Sequence, residues 1–291
     1  MHMENFIFIC YYLNLDMNSI LRRRFISMVD YRVKNEIIKI EGGVFMQGNI
    51  KNKHNFTFDN ECPMFLKTVN DFAISKYPVT EYEYLDFVKA GGYTNNKYWT
   101  LENLEWRNSN NITMPFYWFY ENGNYYKKHW NEIVLVGSNI PMCNISWYEA
   151  KAYCKWKGFR LMKEEEWEYL ATNKGMTLFP WGDDPIDKKK ANLGHEYNYC
   201  VDVHMYEAGN NYNNISQLIG NVWEWCEESI YPYDNFIIDP VYKEMSYPFF
   251  GFKKICRGGC WAVNDFIINS KYRNAQYPEC RIQFIGFRVC I

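Results

Sequence analysis

Residues 217–226 read Gln-Leu-Ile-Gly-Asn-Val-Trp-Glu-Trp-Cys, and the interpretation of the whole sequence starts from this stretch. Its apolar residues follow neither the spacing of one helix face nor the alternation of an ordinary strand. Gly220 and Asn221 tolerate positive φ, so they predict a turn between buried segments. Glu224 lies between two tryptophans, where a carboxylate without a partner would be costly.

Two interpretations of Glu224 stay open at this point. In the first, Glu224, the Gln217 side chain and the carbonyl groups of Gly220 and Val222 bind calcium, a hard ion that prefers oxygen ligands. In the second, the stretch is a buried turn that is closed by a salt bridge, with Arg257 as the candidate partner.

The composition excludes some classes of function. The chain has 291 residues, of which 48% are hydrophobic and 19% aromatic, and its formal net charge is −2. Because nucleic-acid binders usually present a basic surface, this charge balance predicts that no nucleic acid is bound. No run of 18 apolar residues occurs, so the sequence predicts no membrane span.

The ten cysteines and the N-terminus indicate a cytoplasmic protein. No C-x-x-C motif is present, which favours ordinary reduced thiols over a zinc knuckle or a thioredoxin-like site. The apolar run 6–12 follows an acidic residue and precedes the basic cluster 22–24, whereas a signal peptide has the opposite order. We therefore expect an intracellular, reducing location.

Helix signals are found in several segments. Capping boxes predict helices over 81–90 and 147–157, and a third helix is predicted over 163–171. Its first turn carries Glu164, Glu165 and Glu166, which we interpret as favourable helix-dipole charge on a solvated face. A further helix is predicted near 13–33.

Short strands and long aromatic loops complete the pattern. They predict a loop-rich α+β fold with two or three helices in the main domain, which we place at 37–291 behind an N-terminal extension at 1–36 that is also expected to be helical. Segments with strand character are 37–46, 67–74, 255–261 and 284–290.

An ordered set of motifs resembles the formylglycine-generating enzyme (sulfatase-modifying factor) superfamily. The motifs are Gly42-Gly43, Pro78-Val-Thr80, Ile145-Ser-Trp-Tyr-Glu-Ala150, Arg160-Leu161, Glu166-Trp-Glu168, Phe179-Pro-Trp-Gly182, Gly220-Asn-Val-Trp-Glu-Trp225, Arg257-Gly-Gly259 and Gly286-Phe-Arg288. The resemblance implies the family's variant of the C-type lectin fold over about 37–291.

A second set of motifs is similar to the C-terminal domain of ergothioneine, ovothiol and selenoneine synthases. It includes Pro115-Phe-Tyr-Trp118, Tyr231-Pro-Tyr233 and Tyr272-Arg-Asn274. Those enzymes use non-haem iron and O₂ to join a thiol or selenol to a histidine-derived ring. The resemblance implies a substrate pocket that contains Trp261, Arg273, Asn274 and Gln276.

The resemblance also implies calcium as a structural ion. One implied site consists of Gln217, Gly220, Val222 and Glu224, and the other includes Asn192 and the carbonyl of Leu193.

The redox-metal positions of the family are not reproduced. The iron of the synthases is held by three histidines, mostly from a separate N-terminal bundle, but only about 36 residues precede the domain here and no H-x₃-H motif occurs. The two copper-binding cysteines of the formylglycine branch fall near Val263 and Ile268. Iron or copper is therefore not supported by this chain alone.

Two other groups of residues have side chains that can bind a metal ion. His195, Asp202 and His204 have the residue types of a two-histidine, one-carboxylate iron triad, against which stands a polar surface loop. Cys256 and Cys260 flank the Arg-Gly-Gly motif and form either a soft-metal pair or two inert buried thiols.

These observations favour a sulfatase-modifying-factor-like domain without its own redox-metal site, acting as a ligand- or partner-binding module. Its expected ligand is a small thiol or a peptide. The alternative is an oxygen-dependent oxidoreductase that acts on a thiol or a peptide cysteine, with metal ligands supplied by a partner chain.

Overall fold

The computed structural model describes residues 2–15, 31–51, 57–241, 243 and 246–291. The helices are α1 (His2–Tyr12), α2 (Glu81–Lys89), α3 (Leu101–Ser109), α4 (Trp147–Lys157) and α5 (Glu164–Ala171). The strands are β1 (Ile37–Ile40), β2 (Gly43–Gln47), β3 (Phe65–Val69), β4 (Phe72–Ser75), β5 (Trp118–Glu121), β6 (Asn124–His129), β7 (Glu132–Leu135), β8 (Arg160–Leu161), β9 (Trp223–Ser229), β10 (Lys254–Arg257), β11 (Asn274–Gln276), β12 (Ile285–Gly286) and β13 (Val289–Cys290).

The strands form two four-stranded sheets and two smaller antiparallel units. The first sheet has the order β1-β4-β13-β8 and the second has the order β11-β10-β9-β12. The hairpin β2-β3 and the three-stranded sheet β5-β6-β7 complete the set. The α+β class is confirmed.

The predicted capping residues mark the starts of α2 and α4 and the end of α4. The Thr80 hydroxyl accepts a hydrogen bond from the N–H of Glu83 at the start of α2, and Ser146 caps α4 through Glu149 in the same way. Gly158 ends α4 with φ of +76°, a left-handed conformation that favours glycine. Helix α3 adds to the three helices predicted in the main domain.

The predicted helix near 13–33 lies for the most part outside the described residues. The N-terminal helix that the structure does describe, α1, lies within the extension that was expected to be helical, but it ends at Tyr12, before the predicted range. Ile7, Cys10 and Tyr11 are buried, so α1 packs on the body of the domain.

The interpretation of the first turn of α5 as a solvated face was wrong. Glu164 and Glu166 are buried, and only Glu165 is partly exposed. Glu164 accepts hydrogen bonds from Arg257 and Arg273, and Glu166 forms a bidentate pair with Arg160. The charges at the start of α5 are therefore core contacts.

The stretch 217–226 forms the predicted turn and then enters β9. Gln217, Gly220 and Asn221 have φ of +55°, +83° and +67°. A Cβ atom at Gly220 would lie 2.7 Å from the carbonyl oxygen of Asn192, so the close approach of two backbones also requires glycine. The Asn221 carboxamide accepts a hydrogen bond from the N–H of Val201 and donates one to the Val201 carbonyl. These two bonds fix the turn against a neighbouring loop.

The C-terminal segment is shared between the two large sheets. It was predicted as one strand, but β12 pairs with β9 in the second sheet whereas β13 pairs with β4 and β8 in the first. The chain changes sheets at Phe287 and Arg288, which are both fully buried. None of the helices in the described ranges has the length and apolar character needed to cross a lipid bilayer.

Candidate functional site

A cavity of about 270 Å³ lies beside β11, at the edge of the second sheet. It is lined by residues that come from distant parts of the sequence. Its polar lining residues include Glu4 from α1, Asn60, Lys253, Asn274, Gln276 and Gln283. Phe58, Phe249 and Tyr272 add aromatic walls.

Helix α1 places the carboxylate of Glu4 in this cavity. Glu4 Oε1 accepts a hydrogen bond of 2.7 Å from Trp223 Nε1 and a longer one of 3.5 Å from Cys260 Sγ. Burial raises the pKa of Glu4, and the two hydrogen bonds only partly oppose this. A cationic ligand would therefore gain by facing this carboxylate.

Two further polar groups of the cavity have unfilled bonding capacity. The Asn60 side chain is buried, and its Oδ1 atom makes no hydrogen bond within the described chain. Lys253 Nζ lies 3.5 Å from the ring centroid of Phe249, and no carboxylate of the described residues pairs with it. Burial lowers the pKa of Lys253. Such groups normally find a partner, so they point to a polar ligand.

The predicted substrate-binding residues separate into two groups. Asn274 and Gln276 line the cavity and are partly exposed. Arg273 also borders it, but its guanidinium is engaged by Glu164 at 2.7 and 2.9 Å and by the carbonyls of Asn60 and Tyr231. Its side chain therefore holds the wall of the cavity together.

Trp261 lies away from this cavity. Its side chain is fully buried, with its ring centroid 4.8 Å from that of Phe284. The residues that surround the cavity do not include it. A role for Trp261 in binding stays a prediction, and its described contacts are those of a core residue.

The cysteines that flank the Arg-Gly-Gly motif are buried thiols. Both Cys256 and Cys260 have no exposed surface, and burial raises the pKa of each well above its usual value. Cys260 donates to Glu4 and therefore lies directly behind the cavity. In the described structure these thiols are protonated at neutral pH.

Glu224 forms a buried salt bridge with an arginine, and this arginine is Arg288 rather than Arg257. Arg288 Nε lies 2.9 Å from Glu224 Oε2, and Arg288 Nη2 lies 2.7 Å from Glu224 Oε1. Arg257 instead contacts Glu164 and Glu168. Arg257 was therefore the wrong candidate for the partner of Glu224.

The same arrangement bears on the first calcium site. Gln217 Oε1 accepts a hydrogen bond of 2.8 Å from Asn221, and the Gly220 carbonyl accepts one of 2.9 Å from the N–H of Val222. With the carboxylate of Glu224 facing Arg288, a calcium ion would compete with a guanidinium for the only charged ligand of this set. These residues do not fit calcium as they stand.

The second calcium site fits better. Asn192 is buried, and its Oδ1 atom makes no hydrogen bond within the described ranges. Asn192 Nδ2 donates to the Tyr199 carbonyl and to Asn221 Oδ1, which fixes the carboxamide. An open, oriented oxygen next to Leu193 is the kind of ligand that calcium uses, although calcium needs several more oxygens.

Calcium at Asn192 stays a prediction that thermal unfolding can test. Calcium at a hundredfold excess over its Kd is expected to stabilise the chain by about 2.7 kcal/mol, because only the folded state holds the site. The increment should disappear with a chelator and in Asn192→Ala. Equal melting temperatures with calcium and with chelator would contradict the assignment.

The iron triad that was weighed from the sequence is not assembled. His204 Nδ1 lies 2.8 Å from Asp202 Oδ1, whereas His195 Nδ1 is buried without a hydrogen bond to any described residue. No group of three His, Cys, Asp or Glu side chains in the described structure is arranged to hold a metal ion. His54 falls within 52–56, outside the described residues.

Comparison with known proteins decides the family. A family model described as the sulfatase-modifying factor enzyme 1-like domain matches residues 27–291. The chain belongs to this family. The match starts ahead of the domain boundary that was predicted at residue 37.

Relatives of this sulfatase-modifying factor domain carry different functions. Hercynine oxygenase of Mycobacterium tuberculosis is 33% identical over 238 residues, which are 80% of this chain and 55% of that protein. The inactive Cα-formylglycine-generating enzyme 2 of Mus musculus is 29% identical over 223 residues, 67% of this chain and 70% of that protein. The chain spans about half the length of the hercynine oxygenases that it matches.

A solved structure supports the fold. PvdO from Pseudomonas aeruginosa superposes with a TM-score of 0.64 at 21% identity, covering 92% of this chain and 98% of that one. At this identity the likeness concerns the fold of the sulfatase-modifying factor domain.

Sequence reasoning missed four of the polar cavity residues named above, namely Glu4, Asn60, Lys253 and Gln283. Asn60 belongs to the stretch Phe58-Asp-Asn-Glu61, a further motif that resembles the synthase domain, and this stretch could have suggested it, because Phe58 and Asn60 both line the cavity. No local signal could have found Glu4, since 219 positions separate it from Trp223.

Proposed function

We propose that this sulfatase-modifying factor domain is a binding module that holds a small zwitterion, of the size of an amino acid, in the cavity beside β11. The observation that carries the proposal is the pairing of opposite unmet charges in one cavity. Glu4 offers a carboxylate, and Lys253 offers an ammonium group without a carboxylate partner among the described residues.

The cavity chemistry gives each end of such a ligand a place. The ligand ammonium would face Glu4 and the open Oδ1 atom of Asn60, and the ligand carboxylate would face Lys253. The aromatic walls would pack on the ligand body. At about 270 Å³ the cavity is just below the usual range of about 300–1,000 Å³ for small-molecule sites, which favours a small metabolite.

The names of the relatives suggest which zwitterions to test first. Hercynine oxygenase names hercynine as the compound on which that enzyme acts. Hercynine, histidine and the small thiol cysteine are therefore the first probes. Histamine, which lacks the carboxylate, and imidazole propionate, which lacks the ammonium group, complete the series.

Calorimetric titration tests the proposal, with two adjacent lysines as variant and control. Lys253→Met is expected to weaken binding of the preferred zwitterion at least tenfold, because about 1.4 kcal/mol of charge pairing is lost. Lys254→Met should leave binding unchanged, since Lys254 Nζ packs over Trp147, away from the cavity. In both lysines burial lowers the pKa, so the pair is well matched.

Two results would overturn the binding proposal. One is that the folded chain binds none of the zwitterions. The other is that Lys253→Met binds as tightly as the unaltered chain. Histamine and imidazole propionate should each bind more weakly than histidine, because each loses one of the two charge contacts.

A second candidate function is an oxygen-dependent oxidoreductase that acts on a thiol. The identity of 33% to hercynine oxygenase favours it, as does the position of the Cys260 thiol behind the cavity. The described residues do not assemble a three-ligand iron site, and in this proposal a partner chain supplies metal ligands. Oxygen uptake with hercynine, a thiol and ferrous iron, measured with and without a candidate partner, tests it.

A further inference from the structure

A second and larger cavity, of about 650 Å³, is lined by Phe58, which also lines the first cavity. This volume is well within the usual range of small-molecule sites. Most of its wall is apolar. The side chains that form this wall are Leu178, Phe179, Ile186, Phe266, Ile267 and Ile268.

The charged residues that line this cavity all have the same sign. Glu61, Asp183 and Asp265 contribute carboxylates, and no described lysine or arginine is among the lining residues. Asp183 Oδ1 accepts a hydrogen bond of 2.8 Å from the N–H of Leu178, and Asp265 is exposed at the rim. The cavity therefore joins a broad apolar wall to a negative potential.

Glu61 is the buried member of this group. Only 2% of its surface is exposed, and its carboxylate accepts two hydrogen bonds, of 3.1 Å from Asn49 Nδ2 and 3.2 Å from the N–H of Phe58. No lysine or arginine of the described chain forms an ion pair with it. Burial raises the pKa of Glu61 to about 7.

Three other buried carboxylates of the domain have an arginine as partner. Glu164, Glu168 and Glu224 each face an arginine at 2.7–2.9 Å. A carboxylate has about four lone-pair positions, and Glu61 uses two of them in neutral hydrogen bonds. Glu61 therefore retains acceptor capacity, and it lines the adjoining cavity, from which a cation can reach it.

We propose that this cavity binds an organic cation, a primary amine or guanidinium group on an apolar body, with the charged end at Glu61 and the apolar body against Phe179 and Ile268. Charge-assisted hydrogen bonds orient the charged end, and burial of the apolar body supplies the remaining affinity. A free amine and a basic peptide side chain share this chemistry. The site is separate from the zwitterion cavity and does not depend on that proposal.

Three probes test the proposal by calorimetry or by chemical-shift titration. 2-Phenylethylamine is expected to bind at least tenfold more tightly than 2-phenylethanol, which has the same body without the charge. N-acetyl-Phe-Arg-amide presents the peptide form of the ligand. If only the amine binds, the ligand is a free small molecule; if the peptide binds more tightly, the cavity receives a basic side chain.

The affinity for the amine should depend on pH in a predictable direction. Glu61 must be ionised to attract a cation, and with a pKa of about 7 its ionised fraction rises about tenfold between pH 6 and pH 8. Binding of 2-phenylethylamine should therefore tighten by up to about tenfold over this range, because the amine itself stays protonated.

Glu61→Gln keeps an oxygen acceptor for Asn49 or Phe58 but removes the charge, so it should weaken amine binding at least tenfold and remove the pH dependence. Glu121→Gln is the matched control, because Glu121 is exposed on the β5-β6 hairpin, and it should have no effect. Should Glu61→Gln fail to fold, Asp265→Asn at the exposed rim replaces it, with an expected loss of about twofold to threefold from reduced negative potential.

Lys253→Met distinguishes binding at the two cavities. It should weaken binding of the zwitterion but leave binding of 2-phenylethylamine unchanged. Equal binding of 2-phenylethylamine and 2-phenylethanol would overturn the organic-cation site. So would a Glu61→Gln variant that is folded and binds the amine normally.

Discussion

Arg288→Met is expected to lower the free energy of unfolding by about 3–5 kcal/mol, because it leaves the Glu224 carboxylate buried without its counter-charge. Both side chains are fully buried. Arg288 also donates to the carbonyls of Ser75, Lys76 and Ser216, so one guanidinium connects β4, β9 and the turn before β9. Urea unfolding followed by tryptophan fluorescence measures the loss.

The loss in Arg288→Met should grow as the pH rises. Burial already raises the pKa of Glu224, and the favourable charge of Arg288 works against that rise. Without Arg288 the folded-state pKa moves further above the unfolded value, so the folded state holds its proton and loses stability as the pH increases through this interval. Unfolding at pH 5 and at pH 8 gives the difference.

Two comparisons make this prediction specific. Arg32→Met removes an arginine from a surface pair with Asp86, in which the side chains are 45% and 43% exposed, and should cost less than about 1 kcal/mol. The double variant Glu224→Leu, Arg288→Met should recover much of the loss, because apolar residues can replace a buried ion pair. A loss in Arg288→Met no larger than in Arg32→Met would contradict the prediction.

The local features of the fold were predictable because their causes are local. The capping box of Thr80 and Glu83 lies within four consecutive residues. The left-handed C-cap of α4 depends on one residue, Gly158. The turn at Gly220-Asn221 follows from two residues that tolerate positive φ. Such signals do not depend on the rest of the chain.

The partners of buried charges were not predictable, because they join distant segments. The sequence offers Arg257 as the partner of Glu224, yet the actual partner, Arg288, lies 64 positions away and reaches Glu224 because the chain changes sheets at Phe287. The start of α5 was predicted to be solvated because three adjacent glutamates usually face solvent. The sequence does not indicate that β10 and β11 bring Arg257 and Arg273 onto Glu164.

The candidate site was predictable only in part for the same reason. Asn274 belongs to the motif Tyr272-Arg-Asn274 and Gln276 follows two positions later, and both line the cavity. Glu4 completes the cavity from a helix that lies outside every motif. The charge that defines the proposed ligand thus comes from the segment with the least local signal.

Glu164→Gln is expected to cost about 3–5 kcal/mol, because it leaves the guanidinium groups of Arg257 and Arg273 facing a neutral amide in the core. Glu164 Oε1 lies 2.9 Å from Arg257 Nη1 and 2.7 Å from Arg273 Nε. Glu168 still pairs with Arg257, so Arg273 carries most of the expected loss. Glu164 itself is not among the residues that line the zwitterion cavity, but it holds Arg273, which is.

The loss in Glu164→Gln should also grow as the pH rises, but over a more acidic interval than the loss in Arg288→Met, because the pKa of Glu164 is lowered whereas that of Glu224 is raised. Burial alone would raise the pKa of Glu164, but Arg273 and Arg257 outweigh it and the pKa is lowered. The stability from Glu164 is therefore complete above its unfolded pKa of about 4.5 and is lost as the pH falls through the lowered folded-state value. The difference between the unaltered chain and Glu164→Gln should shrink in this acidic range.

The adjacent residue is the matched control for this prediction. Glu165→Gln changes the same chemistry one position along α5, where Glu165 meets Lys67 at 3.0 Å with side chains that are 24% and 37% exposed. Because solvent screens such a pair, the loss should stay below about 1 kcal/mol. Equal losses in Glu164→Gln and Glu165→Gln would mean that the first turn of α5 is solvated after all, and that the buried charge network does not hold β10 and β11 to this helix.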